Sequence, residues 1–393
     1  MAWFKQWIAL ILFNVHSWRL RPVATIVAIV GFLIVMLVFA GIFSVESGFL
    51  AIARSTGAND IAMVLSQGAR SEMSSSLPIS DTGIIETAPG VAHDGHGALI
   101  ASEYTDIINA TKYGSTEPTD VTVRGVDQAM FTLEPQIKIT SGRMFKTGVN
   151  ELIVGRRAAE EFTGFKLGTT VRWLQTEWKI VGIFSSAGDM HESEVWTDIH
   201  ALQNANQNNG NVAAIYAKLM SAGAFPAFKQ ALDHNPQLSV SVLRQSDYYL
   251  QQTKTLTGFI ASIGGLITLL MGIGAIVGAM NIMYTTIAVR TSEFATLRAI
   301  GFQASSTFSA VMVEGLLLGI IGGVVGTFGA WLIFNGHQAS TLSGYGQVIF
   351  NFAVSMRLMA LSIGIAVLMG LIGGVFPALR AARLPISEAL RES

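Results

Sequence analysis

The chain has 393 residues, of which 13% are charged and 51% hydrophobic, with 40 Gly, no Cys and a formal net charge of -1. The charged share is about half the roughly 25% of an ordinary globular protein, so long stretches must prefer lipid to water. Without Cys there are no disulfides, thiol nucleophiles or Cys-ligated metal sites, and the near-neutral charge argues against a nucleic-acid partner.

In chain order, the first 22 residues place Trp3, Trp7, Leu10, Ile11, Asn14 and Trp18 three or four apart. That spacing predicts an amphipathic helix on the membrane surface, broken at Pro22; the alternative is an extension of the first span. Residues 23–45 carry no charge and are long enough to cross a hydrocarbon core, which takes about 20 residues. They are also longer than the h-region of a signal peptide. Residues 46–255 have ordinary composition and predict an α+β domain inserted into a membrane protein. Ile61–Leu65, His96–Glu103, Val121–Val126, Glu151–Gly155, Thr170–Leu174, Trp178–Phe184, Val212–Met220 and Leu238–Leu243 read as strands. Ser80–Ala88 and Phe225–His234 read as helices. A β-rich stretch over about 121–211 looks inserted between two halves of a βαβ-like unit. From Asp247 onward no breaker precedes the second span, so one long rod is expected.

Three further spans are expected at 256–285, 307–335 and 358–380. They leave a loop at 286–306, a short outer loop at 336–357 and a tail at 381–393. The fold class is thus membrane α-helical, with four transmembrane helices and a large α+β extracytoplasmic domain between the first and second. Lys5, Arg19, Arg21, Arg290, Arg298, Arg380, Arg383 and Arg391 fall in the segments that share one side. The positive-inside rule makes that side cytoplasmic, so both termini are expected there.

Within the loop, Phe294, Leu297 and Ile300 are three apart and form an apolar stripe, with Arg290, Glu293 and Arg298 off it. This predicts a short amphipathic helix ended by Gly301. Glu314 is a lone carboxylate inside the third span, and a structural salt bridge to Arg290 or Arg298 is its expected role. Gly315, Gly319, Gly322, Gly323 and Gly326 recur at spacings that permit close helix packing. Two polar clusters stand out in the outer domain. His93-Asp94-Gly95-His96 has ligand types but reads as an exposed turn. Asp189-Met190-His191-Glu192 with Glu194 reads as a flexible hairpin tip, better suited to touching a partner than to catalysis. No Gly-Lys dipeptide occurs, so this sequence has no phosphate loop of the Gly-Lys type.

The stretch Val289-Arg-Thr-Ser-Glu-Phe-Ala-Thr-Leu-Arg-Ala-Ile-Gly301 is followed by Val313-Glu314-Gly315 and Gly322-Gly-Val-Val-Gly326. Far downstream comes Gly373-Gly-Val-Phe-Pro-Ala-Leu-Arg-Ala-Ala-Arg-Leu-Pro-Ile-Ser-Glu-Ala-Leu-Arg391. Together these resemble the signatures of MacB/FtsX-type (type VII) ABC transporter permeases without a fused ATPase. Val123-Arg-Gly125, Ser141-Gly-Arg143, Leu152-Ile-Val-Gly155 and Trp178-Lys-Ile-Val-Gly182 add to the likeness. Phe294-Ala295 replaces the usual Ile-Gly and is closer to the DevC-like branch, and Phe302-Gln-Ala-Ser-Ser306 replaces an Arg-rich stretch.

The resemblance implies a homodimer, or a dimer with a similar permease, in a bacterial inner membrane. It implies two copies of a separate ABC ATPase that bind ATP and Mg, while this chain binds no cofactor or metal and is not itself an enzyme. It implies mechanotransmission, in which ATPase closure is relayed along the second span to drive export or extraction of a substrate, with a periplasmic membrane-fusion or adaptor protein as a further partner. Arg290, Glu293, Phe294, Leu297, Arg298, Ile300 and Gly301 are then the expected ATPase-coupling residues, with Phe294 and Leu297 as apolar anchors. The alternative is an FtsX-like signalling platform that activates a cell-wall hydrolase.

Overall fold

The computed structural model describes residue 18 and residues 21–95, 97–208, 210–343 and 346–383. Most of the surface helix expected over 1–22 therefore lies outside the described residues, as do His96 and Arg391. Four helices are long and apolar enough to cross a membrane: Pro22–Thr56, Gln245–Val289, Ala304–Phe334 and Met356–Ala382, called spans one to four below. In lipid no water can satisfy backbone polar groups, so a helix that bonds them internally is what such apolar runs form. Pro22 begins span one, where its missing N–H would have no intrahelical partner. Span one continues to Thr56 rather than ending near residue 45, because Glu46 and Arg54 limit what lipid covers but do not break a helix. Span two is a single 45-residue helix.

The chain divides into two compact units. The first holds residues up to Gly48, Gly258–His337 and the residues from Phe352 on. Here two glycine-lined faces of span three take two different neighbours. A Cβ on Gly315 would lie 2.7 Å from the Gly370 carbonyl oxygen, and one on Gly319 2.5 Å from that of Ala366. On the other face, a Cβ on Gly322 would lie 2.6 Å from Phe32 Cβ, and one on Gly326 2.4 Å from the Leu33 carbonyl oxygen. Gly323 meets Ala366 Cβ at 2.6 Å in the same test. Spans one and four thus approach span three backbone to backbone, where dispersion is strongest and a methyl group has no room.

The second unit holds Phe49–Thr257 and Gln338–Asn351. Its described residues form a ten-stranded sheet in the spatial order Val240–Arg244, Ile61–Ser66, Ala214–Lys218, Ile100–Thr111, Pro118–Val126, Val195–Asp198, Glu151–Gly155, Thr176–Ser185, Lys138–Gly142. Thr170–Trp173 pairs on Thr176–Ser185. The first four strands of that order, with the helices Asp81–Glu86 and Phe225–Asp233, make a β-α-β-β-α-β unit whose neighbouring strands are antiparallel. All other strands of the sheet lie between its second and third strands in sequence and extend the sheet from the free side of Ile100–Thr111. Residues 61–65 are buried throughout rather than alternately, as in a strand covered on both faces.

The segment between spans three and four, expected as a short loop, is instead an antiparallel hairpin, Gln338–Ser343 with Gly346–Asn351. It belongs to the sheet unit. Ile349 is 1% exposed and packs with Val121, Leu152 and Phe162. Arg157 Nη1 donates to the Ile349 carbonyl at 2.6 Å, and the Ile349 N–H donates to Ser193 Oγ at 3.0 Å. Phe350 meets Phe49 edge-on at 5.3 Å. The run Val348-Ile349-Phe350 is too short to cross lipid and gains burial only against another apolar surface.

Overpacking a close-packed contact costs about 1–3 kcal/mol. Gly319→Ala is therefore expected to lower the melting temperature of the detergent-solubilised chain by several degrees. Gly364→Ala, with nothing within 4 Å of the added methyl, is expected to leave it unchanged. Equal melting of the two variants by differential scanning fluorimetry would contradict this packing.

Candidate functional site

Two regions carry polar chemistry. The first lies where span two ends. The helix Thr291–Ala299 follows it after one turn, and Gly301, at φ +106°, stops the helix in a conformation that a side chain would strain. Phe294 is 2% exposed and packs with Met283, Ile287, Val311, Ala378 and Ala381. Phe294 was expected to face a partner and instead seats the short helix on its own bundle. An apolar side chain binds the nearest apolar surface, and the ends of spans two, three and four supply one for Phe294, while the Leu297 side chain lies outside the described residues. Arg290 is buried as well. Its guanidinium carbon sits 5.0 Å from the centre of the Phe294 ring, and Nε donates to Glu293 Oε2 at 2.7 Å. The exposed groups include Val289 at 78%, Ile300 at 72% and about half of the Glu293 side chain. Arg298 is half-buried. Basic groups gather at this end: Arg21 Nη1 donates to the Thr286 carbonyl at 3.2 Å, and Arg380 lies 5.5 Å from the centre of the Tyr284 ring. Glu314 Oε1 accepts from Trp18 Nε1 at 3.3 Å, a partner that spacing did not reveal.

The second region is a buried network in the sheet unit, which the sequence reading missed. Arg124 lies opposite Thr105 on one neighbouring strand and Trp196 on the other. Glu103 is two residues before Thr105 and so shares its face of the sheet. Arg124 Nε and Nη2 bind the two oxygens of Glu194 at 2.9 and 2.8 Å. Nη1 reaches Glu72 Oε1 at 3.1 Å and also pairs with Glu103. Tyr216 donates to Glu72 Oε1 at 2.8 Å, Thr105 to Glu103 Oε1 at 2.8 Å, and Trp196 Nε1 to Glu194 Oε2 at 2.8 Å. The Tyr248 hydroxyl, on the first turns of the 45-residue helix, accepts from the Glu72 N–H at 3.1 Å. Charged residues inside otherwise apolar strands, as in Val121-Thr-Val-Arg-Gly-Val126, were the available signal.

The residues Asp189–Glu194 are not a flexible tip. Asp189, His191, Glu192 and Ser193 are each 2% exposed or less. Asp189 caps a short 3-10 turn by accepting from the His191 N–H at 2.9 Å and from Ser186 Oγ at 2.6 Å. Glu192 accepts from the Ser186 and Gly188 N–H groups and pairs with Arg156. His191 Nε2 sits 3.1 Å from the Tyr249 hydroxyl. The Ser-Ser-Ala-Gly turn signal is genuine, but each acidic side chain after it finds donors inside the unit, so burial is tolerated. His93 and Asp94 lie on an exposed two-residue strand. Among the described residues, no group of three His, Asp or Glu side chains is placed to hold a metal ion.

Three carboxylates around one guanidinium cannot all stay ionised without cost. Burial pushes the Glu103 carboxyl up to about 7, against the pull of Arg124. Burial alone would lower His191, but Asp189, Glu194 and Glu134 outweigh it and raise it to about 9. Glu194 is raised by burial yet ends below its ordinary value, because Arg124 and His191 hold it ionised.

The signs then follow. Glu103 and His191 both have folded values above their unfolded ones, so their contributions are complete below about 4.5 and 6.5 and are lost as pH rises through about 7 and 9. Glu194 acts oppositely, losing its contribution as pH falls below 4.5. Stability of the sheet unit is expected to peak in mild acid and to fall by on the order of 5 kcal/mol between pH 5 and 9. Glu103→Gln should shrink the decline between pH 4.5 and 7, to which Glu134 and Asp127, also raised by burial, still contribute, and leave that above 7. A melting profile of the variant parallel to the wild type across pH 5–7 would refute this.

Four membrane-length helices with a mixed sheet unit inserted after the first define a multi-pass membrane protein with a large extracytoplasmic domain. A family model for the MacB-like periplasmic core domain matches residues 24–235, and one for the FtsX-like permease C-terminal region matches residues 265–386. The chain therefore belongs to the MacB/FtsX-type ABC transporter permeases. It is 26% identical to the uncharacterized ABC transporter permease YknZ of Bacillus subtilis over 70% of this chain and 71% of that one. It is 25% identical to the macrolide export ATP-binding/permease protein MacB of Bdellovibrio bacteriovorus over 64% of this chain. That match spans 41% of the MacB chain. The crystal structure of the periplasmic region of MacB from Actinobacillus actinomycetemcomitans aligns to 52% of this chain and 97% of its own at 14% identity. Its TM-score of 0.37 is too low to decide anything further.

Proposed function

We propose that the chain is the permease subunit of an ABC transporter whose ATP and Mg are bound by a separate ATPase, two permease copies working with two ATPase copies. Its task is to turn ATPase closure into a movement of the extracytoplasmic domain that exports or extracts a substrate there, with a periplasmic adaptor as partner. The observation that carries this reading is the single helix Gln245–Val289, which passes from the sheet unit into the membrane unit without a break. A continuous helix transmits displacement along its axis because every turn is hydrogen-bonded to the next. The short helix Thr291–Ala299 at its far end is the contact for the ATPase. Because Phe294 is consumed internally, Ile300 and Val289 supply the apolar contact and Glu293 a charge-assisted one.

Dimerisation is supported by span two, whose most apolar window is 11% buried against 39% in each of the other spans. Its exposed face includes Gly274 and Gly278, spaced as in close helix pairs. The membrane is the bacterial inner membrane, and Arg21, Arg290, Arg298, Arg380 and Arg383 mark the cytoplasmic side, which holds both termini.

Two measurements test these statements. Ser115→Cys puts the chain's one thiol on an exposed loop, and it should react with a membrane-impermeant maleimide in intact spheroplasts. Reaction only after lysis would invert the topology. Ile300→Asp is expected to cut co-purification of the ATPase at least tenfold, a loss of about 1.4 kcal/mol. The exposed control Thr296→Ala should retain it. An undiminished Ile300→Asp complex would remove this helix from the coupling path.

A further inference from the structure

The sheet unit holds a small solvent-open cleft of about 70 Å³ lined by Glu72, Arg124, Glu194, Tyr248, Gln252 and Gln347 among others. Its inner wall is part of the buried network, where the three acidic groups Glu72, Glu103 and Glu194 surround one guanidinium. A second, independent feature faces the same space. Gln347, brought in by the hairpin after span three, is 8% exposed, and its Oε1 has no hydrogen-bond partner. A buried acceptor left unsatisfied is costly, and native proteins usually meet it with water or a ligand. The unused group in the cleft is an acceptor set beside the carboxylates of Glu72 and Glu194, so the missing group is a donor and a positive one. An anion would be repelled. A bare divalent ion would have to draw Glu72 and Glu194 away from Arg124 before they could ligate it. An ammonium group needs only their remaining lone pairs and a carbonyl oxygen. Met73 and Val348 add apolar surface beside the polar wall.

We propose that this cleft binds the protonated amine of a small organic molecule, its N–H groups donating to Gln347 Oε1 and to the carboxylates of Glu72 and Glu194, with its hydrocarbon portion against Met73 and Val348. The site does not depend on how the chain is coupled to an ATPase, because it lies wholly within the sheet unit.

The test is isothermal titration of the detergent-solubilised full chain, without nucleotide or ATPase, with three ligands of one shape. Phenethylamine should bind, 2-phenylethanol should bind at least tenfold more weakly, and phenylacetate should not bind. Gln347→Leu should weaken phenethylamine at least tenfold with an unchanged melting temperature. Gln347→Glu, which keeps an acceptor and adds charge, should bind at least as well as the wild type and decides the matter if the Leu variant does not fold. Several results would each overturn the proposal: no heat from phenethylamine, equal binding of the alcohol, full affinity in a folded Gln347→Leu, weakened binding in a folded Gln347→Glu, or displacement of the amine by calcium at equal concentration.

Discussion

Arg124 is a guanidinium 2% exposed in the middle of a sheet. Removing such a charge from water costs several kcal/mol unless its donors are met by well-placed acceptors. Meeting them requires carboxylates from three separate places: the turn at Glu72, the strand carrying Glu103 and the residue Glu194 that precedes the next strand. Those positions are therefore coupled. The register that sets Arg124 opposite Thr105 and Trp196 also sets where Glu194 must sit, and with it the buried turn from Asp189 to Ser193. Tyr248 and Tyr249 tie the first turns of the 45-residue helix to the same cluster through Glu72 and His191. The start of the helix proposed to carry force is thus held by polar contacts that hydrophobic packing could not specify as closely.

The membrane unit is organised by a different rule. Lipid gives no hydrophobic reward for bringing two helices together, so their association depends on close contact. Span three meets that demand with glycines directed toward two partners, Gly315 and Gly319 toward span four and Gly322 and Gly326 toward span one. Span two is the least covered of the four. At its end, Phe294 and Arg290 turn inward and lock the short following helix to the bundle. A push on that helix is then a push on the bundle, which is what a coupling element requires.

Much of this architecture was legible in the amino-acid order. Runs such as residues 23–45 admit one solution in lipid, the helix, because backbone groups have no other partner there. The missing breaker between Asp247 and span two was equally plain, since Gly and Pro are the residues that interrupt a helix and a helical Gly alone does not suffice. Strands such as Glu151–Gly155 and Trp178–Phe184 announced themselves by composition and bounding turns. The candidate sites were less legible. Asp189, His191, Glu192 and Glu194 looked like an exposed tip, since acidic residues after a Gly turn are usually solvated. The hairpin after span three looked like a loop because it is too short to be read by periodicity.

The amino-acid sequence by itself determined which segments enter lipid, the class of the inserted domain and the motifs at 289–301 and 373–391 by which the family is recognised. These follow from local quantities: hydrophobic length, period and breaker residues, each of which acts over a few turns or strands. Tertiary structure alone decided that Arg124 would gather Glu72, Glu103 and Glu194, that Gln347 would face the same cleft, and that Phe294 would turn toward its own bundle. Several contacts of this kind join distant residues: Arg124 and Glu72 are 52 positions apart, Arg124 and Glu194 are 70, and Ile349 and Ser193 are 156. No local pattern encodes such pairs, because whether a buried charge is tolerated depends on which distant groups the completed sheet brings within hydrogen-bond reach.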